Sequence, residues 1–174
     1  MTIPVPLILN FVLFQAAWFA AVLAPPGIAS FLAALALVIH LKWVALPREW
    51  RFILLVTVIG GAVDSIFAWS GVFAFPAATF GWQPPPAPLW LLLLWANFAT
   101  TLCHSLQWMQ RYKALAFVLG GVAGPLAYLG GVEISDKLEI TLSPLQYFAV
   151  AAPCWAVVCL VLPQIARRVC GGSK

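Results

Sequence analysis

The sequence predicts an all-α, polytopic membrane protein: a single domain, residues 1–174, folded as one compact bundle of six transmembrane helices with both termini cytoplasmic. Three observations predict it. Hydrophobic residues make up 64% of the chain and charged residues 8%, whereas roughly a quarter of the residues in soluble domains are charged. The apolar residues come in runs of about 20, the length of helix that crosses a bilayer. Of the nine Lys and Arg residues, all but Lys137 fall on one side of a six-span path, and basic residues concentrate in cytoplasmic loops. The formal charge of +4 is divided among short clusters between apolar runs, so it sets orientation and does not point to nucleic acid.

Cut at its charges and proline clusters, the chain gives spans at Pro4 to Leu23, Gly27 to Trp43, Arg51 to Phe73, Pro88 to Gln110, Ala114 to Val132 and Pro144 to Ile165. The first lacks a basic leading region, and Pro25 and Pro26 follow the small residues where a signal peptide would be cut, so it is expected to stay in the mature chain. Those prolines also stop one helix and start the next, which makes spans one and two a hairpin. The third span carries Gly60, Gly61, Asp64, Ser65, Ala68 and Gly71, small residues that let helices approach closely. The connection from Ala74 to Pro88, with Phe75, Pro76, Phe80, Trp82 and Pro84 to Pro86, is aromatic, rigid and uncharged, suited to anchoring at the outer surface or to covering the bundle.

The fourth span is the most polar. Asn97, Thr101, His104, Trp108 and Arg111 follow 4-3-4-3 spacing and share one stripe, expected to face inward. The fifth repeats the small-residue device with Ala116, Gly120, Gly124 and Pro125, and Glu133, Asp136, Lys137 and Glu139 follow it in an external loop. The second and sixth spans offer few polar groups, which leaves the first, third, fourth and fifth to line the interior. Trp43, Trp50 and Trp108 are expected at the inner interface and Trp69, Trp82 and Trp90 near the outer one. Cys103, Cys154, Cys159 and Cys170 form no CxxC pair and lack a histidine at metal spacing, so they read as small packing residues and no metal site is predicted.

Asp64 stands out because it interrupts an apolar stretch from Phe52 to Phe75. A carboxyl group in hydrocarbon is costly unless neutral, hydrogen-bonded or facing water, so intramembrane acids mark candidate sites. At about 1.5 Å of rise per residue, Asp64 and Asn97 both lie roughly 20 Å from the cytoplasmic ends, with Gln15 at about 16 Å. Asn10 and His104 form a second layer at roughly 10 Å. No Lys or Arg shares the depth of Asp64, so desolvation favours its neutral form unless Asn97, Gln15 or water stabilises the carboxylate. His40 and Lys42 are expected to snorkel to the inner interface.

Asn10-Phe11 with Phe14-Gln15 and Trp18, then Asp64-Ser65, Phe75-Pro76, Trp95, the Phe98 to Leu102 run FATTL, Ser105, Trp108, and Gly124-Pro125 with Tyr128 resemble, in order and spacing, the DUF2878 family of uncharacterised bacterial inner-membrane proteins. The resemblance covers nearly the whole chain. It implies a bacterial inner-membrane location and puts Asn10, Gln15, Asp64, Ser65, Thr101, Ser105, Pro125 and Tyr128 at motif positions. Family members are often encoded beside cyclopropane-fatty-acid-synthase-like enzymes. That association implies a lipid-related role and a lipid-modifying enzyme as partner.

The expected activity is binding or handling of a lipid or other hydrophobic small molecule between the first, third, fourth and fifth spans. Its ligand-binding candidates are Asp64, Asn97, Gln15, Asn10, Thr101, His104, Ser105 and Tyr128, membrane lipids are the partners, and no cofactor is implied. Two alternatives stay open. A membrane-embedded lipid-modifying enzyme would use Asp64 or His104 as acid or base, although no metal cluster, nucleophile elbow or nucleotide loop accompanies them. A small proton-coupled transporter would use Asp64 as proton carrier. The small-residue faces can pack within one chain or between chains, so oligomeric state is left open.

Overall fold

The computed structural model describes residues 5–76 and 87–171, so most of the expected covering segment, including Phe80, Trp82 and Pro84 to Pro86, lies outside the described residues. Among the described residues there are six α-helices: α1 Val5–Leu23, α2 Pro26–Trp43, α3 Glu49–Trp69, α4 Leu89–Cys103, α5 Lys113–Ile134 and α6 Pro144–Cys170. Five are long and apolar enough to cross a membrane; α4, at 15 residues, is the exception. Phe31, Leu54, Val58, Val118 and Leu126 are among the large apolar side chains on the outside, as expected of helices facing lipid.

The fourth predicted span departs from expectation. Helix ends at Cys103, the chain turns through His104 to Leu106, and a 3₁₀ turn covers Gln107–Gln110. At about 1.5 Å per residue, α4 is roughly 22 Å long, short of a hydrocarbon core of about 30 Å. Irregular backbone at such depth survives where protein surrounds it. α4 is so enclosed, by α1, α2, α3 and α6, with 10 of its 15 residues buried. The break also satisfies its own groups: Thr101 O accepts from His104 N and Leu106 N, and Gln110 Nε2 donates to Leu102 O at 2.8 Å.

Both small-residue faces become close helix contacts. A Cβ at Gly60 would overlap the Trp95 indole, and one at Gly61 would strike Leu92, so α3 lies directly on α4. On α5, a Cβ at Gly120 would strike Cys159 and one at Gly124 would overlap Trp155, which seats α5 on α6. Gly71 belongs to a turn instead, with φ +74. That turn leads into β1, Phe73–Ala74, which pairs antiparallel with β2, Glu139–Ile140, a two-residue ladder that an all-α reading omits.

Four further expectations are corrected. Cys103 and Cys170 form a disulfide between the end of α4 and the end of α6, while Cys154 and Cys159 are free packing residues. The break in α4 and the length of α6 bring the two chain-distant sulfurs to one end. His40 does not snorkel: it is 1% exposed, whereas Lys42 is exposed and stands over the Trp43 ring. Trp90 is buried, while Trp43, Trp50 and Trp69 are exposed. Finally, α2 and α6 do supply the interior, through His40 on α2 and Tyr147 and Trp155 on α6.

Candidate functional site

Two buried polar clusters lie at different levels of the bundle. The one nearer the start of α1 and the end of α6 is organised by Glu49. Arg48 adopts a left-handed conformation, φ 67, at the start of α3, which costs about 1 kcal/mol for a residue with a Cβ. It turns the chain so that Glu49, in the first helical turn, points inward with 0% exposure. A carboxylate there meets the positive end of the helix dipole. Its Oε2 accepts the Leu46 N–H at 2.7 Å and His104 Nε2–H at 3.0 Å, and its Oε1 accepts His40 Nε2–H at 2.9 Å.

The neighbouring bonds fix the proton on His40. Thr100 Oγ1 donates to Asn97 O at 2.7 Å, so it accepts from Asn10 Nδ2, 2.9 Å away. Ser105 N and Oγ both donate to Asn10 Oδ1, at 3.2 and 2.6 Å. The amide nitrogen of Asn10 therefore faces His40 Nδ1 at 3.3 Å. His40 Nδ1 accepts, leaving the ring proton on Nε2 toward Glu49. Asn10 thereby joins α1 to the broken end of α4, and Glu49 joins α3 to α2 and to that same break. The three side chains His40, Glu49 and His104 offer two imidazole nitrogens and a carboxylate oxygen, all within 4.8 Å of one another, a donor set of metal-holding type.

The second cluster surrounds Asp64, 1% exposed on α3. Its Oδ2 accepts Trp95 Nε1–H at 2.6 Å and its Oδ1 accepts Tyr128 O–H at 2.8 Å. Both donors are neutral. An indole can only donate, whereas a phenol can also accept, so Oδ1 is the oxygen that can carry a proton without breaking the cluster. Trp95 stacks on Trp155 of α6 at 4.9 Å between centroids, and Tyr128 stacks on Phe73 at 5.1 Å. Asp64 thus orients two aromatic rings from two different helices.

Those rings form one wall of a cavity of about 110 Å³. Phe14 and Trp18 of α1, Phe98 of α4 and Trp155 of α6 also line it, with Phe14 and Phe98 6.3 Å apart between centroids, and Trp90, Ser135 and Lys137 line its far end. Lys137 Nζ donates to the α1 carbonyls of Ala21 and, at 2.6 Å, Ala24, and stands 5.4 Å from the Trp90 ring centroid. Burial pulls its ammonium below the ordinary lysine value, with Asp136 partly opposing the shift. Trp90 Nε1 is a buried donor without a partner among the described residues.

The expected grouping of Asp64 with Asn97 and Gln15 does not form. Asn97 lies two residues from Trp95, on the opposite side of α4, and donates to Ala33 O of α2 at 3.0 Å and to Leu93 O at 2.8 Å. Gln15 is half-buried and makes no side-chain hydrogen bond among the described residues. Thr101 bonds its own helix at Phe98 O. Asn10, His104 and Ser105 do come together, and Tyr128 meets Asp64 and the cavity. Sequence reasoning passed over Glu49, which sits between Arg48 and Arg51 and reads as a surface charge, and Trp155, which lies in a span with few polar signals.

A family model described as a protein of unknown function, DUF2878, matches residues 7–161, a stretch that includes both clusters and the cavity. The chain belongs to the DUF2878 family. No curated protein and no solved structure matches it. By its helices this DUF2878 protein is a multi-pass membrane protein.

Proposed function

We propose that this DUF2878 protein binds a lipid-class molecule through the aromatic cavity beside Asp64. The observation that carries the reading is that cavity: about 110 Å³, walled by Trp95 and Tyr128 whose orientation Asp64 fixes. Pockets that enclose a whole drug-sized ligand run from roughly 300 Å³ upward. This one suits part of a molecule, a stretch of acyl chain or a ring, with the remainder in the surrounding bilayer. The buried Trp90 Nε1–H at the far end favours a ligand with an acceptor such as a carbonyl oxygen.

The same reading puts the protein in a bacterial inner membrane with both termini cytoplasmic, supported by the bias of basic residues toward the terminal side. α4 and the 3₁₀ turn after it together make the fourth of the six crossings. Asp64 acts as a positioning residue, and Tyr128 and Trp155 touch the ligand. Native mass spectrometry of the protein released from native membranes tests this. The expected result is a lipid adduct retained by wild type and lost from Trp155→Ala. Bare protein alone, or an adduct indifferent to Trp155, contradicts it.

A further inference from the structure

We propose that His40, Glu49 and His104 form a binding site for a divalent first-row transition ion of the zinc class. The site is separate from the aromatic cavity, and the proposal stands without the lipid reading. Three helical elements converge on it: the last turn of α2, the first turn of α3 and the break after α4. All three residues are buried, and their donor atoms lie within 4.8 Å of one another. Two imidazoles and one carboxylate are a nitrogen-rich set, suited to zinc, cobalt or iron and unsuited to magnesium or calcium, which take oxygen donors. Donors that share a zinc ion at about 2.1 Å sit roughly 3.4 Å apart in tetrahedral geometry. His40 Nε2 and His104 Nε2 already stand 2.9 and 3.0 Å from the Glu49 oxygens, so the change needed is mainly an approach of the two rings to each other.

The protons balance without loss from either ring. Ligation through Nε2 moves each ring proton to Nδ1, and the ionised Glu49 supplies the negative charge. His104 Nδ1 has no partner among the described residues. His40 Nδ1 faces Asn10, whose amide after half a turn presents Oδ1 to His40 and Nδ2 to Ser105 Oγ, at the cost of the Ser105 N–H losing its acceptor and of the Thr100 hydroxyl turning from Asn97 O to donate to Oδ1. Asn10 is therefore the positioning residue of the site, in the place where metal-bound histidines ordinarily find an acceptor. The bound ion would fasten α2 and α3 to the irregular end of α4, which has no continuous helix to hold it.

The test uses the full chain in detergent, stripped with a chelator and titrated with zinc or cobalt. The expected result is one ion per chain, a zinc-dependent rise in melting temperature and visible absorption of a nitrogen-ligated cobalt ion. Glu49→Gln and His104→Ala should lose all three readouts, while Asp64→Asn should keep them. Asn10→Asp guards against loss by misfolding, because it places a permanent acceptor beside His40 and should tighten zinc binding by about tenfold. Folded wild type that takes up no ion and melts at the same temperature with and without zinc overturns the proposal. So does zinc binding that survives Glu49→Gln and ignores Asn10→Asp.

Discussion

The Asp64 and Glu49 clusters solve the same problem in two ways. Each buries one carboxylate in an apolar bundle and satisfies it with side chains from two other helical elements. Around Asp64 the donors are an indole and a phenol, whose apolar bodies continue into a cavity. Around Glu49 they are two imidazoles, each of which can offer a lone pair in place of its proton. The first arrangement turns a buried carboxyl group into control over an aromatic wall. The second gathers two imidazole nitrogens and a carboxylate oxygen within 4.8 Å of one another, a donor set of metal-holding type.

The largest effect is expected from disrupting the packing on which the aromatic cluster rests. Gly60→Leu forces a side chain into Trp95, and overpacking of this kind should cost more than about 3 kcal/mol, read as loss of the folded fraction in detergent melts. The next test sets the two acids against each other. Glu49→Gln turns an NH₂ group toward His40 or toward His104 and Leu46, donors that His40 and the Leu46 backbone cannot easily withdraw, at a cost of about 2 kcal/mol. Asp64→Asn can keep its oxygen on Trp95 and donate to a turned Tyr128 hydroxyl, so the same melts should show a loss below about 1 kcal/mol. Equal losses would erase the distinction drawn between the clusters.

Much of the fold was legible because hydrophobic run length and proline position are local signals. The α1–α2 turn at Pro25 and Pro26 and the packing faces of α3 and α5 follow directly from them. The break at His104 is different: no proline or glycine stands in Cys103-His104-Ser105, and its stability comes from Asn10 on a distant helix. Site reading failed for a related reason. Equal depth put Asn97 and Asp64 in one layer, but depth says nothing about azimuth, and Asn97 faces α2 while Trp95 faces α3 and α6. Glu49 and His40 were hidden by their position among basic residues near helix ends, where a charge ordinarily meets water.

A smaller effect is expected at the far end of the cavity, where Lys137 stands over Trp90. Because burial holds Lys137 below its ordinary 10.5, the unfolded chain binds more protons in the alkaline window just under that value. Stability should therefore rise with pH through that window, and Lys137→Met should flatten the rise in pH-dependent melts. A profile identical in the variant would show that the ammonium is not desolvated as its position over Trp90 implies.

Photocrosslinking tests directly whether the aromatic cavity takes part of a lipid. A fatty acid carrying a diazirine along its chain would be activated in membranes containing the protein, and the modified residues mapped by peptide mass spectrometry. The expected adducts are at Phe14, Tyr128 and Trp155, lost on competition with unlabelled lipid. Adducts confined to outward-facing residues such as Phe31, Val58 and Val118, with the cavity unlabelled, would contradict it.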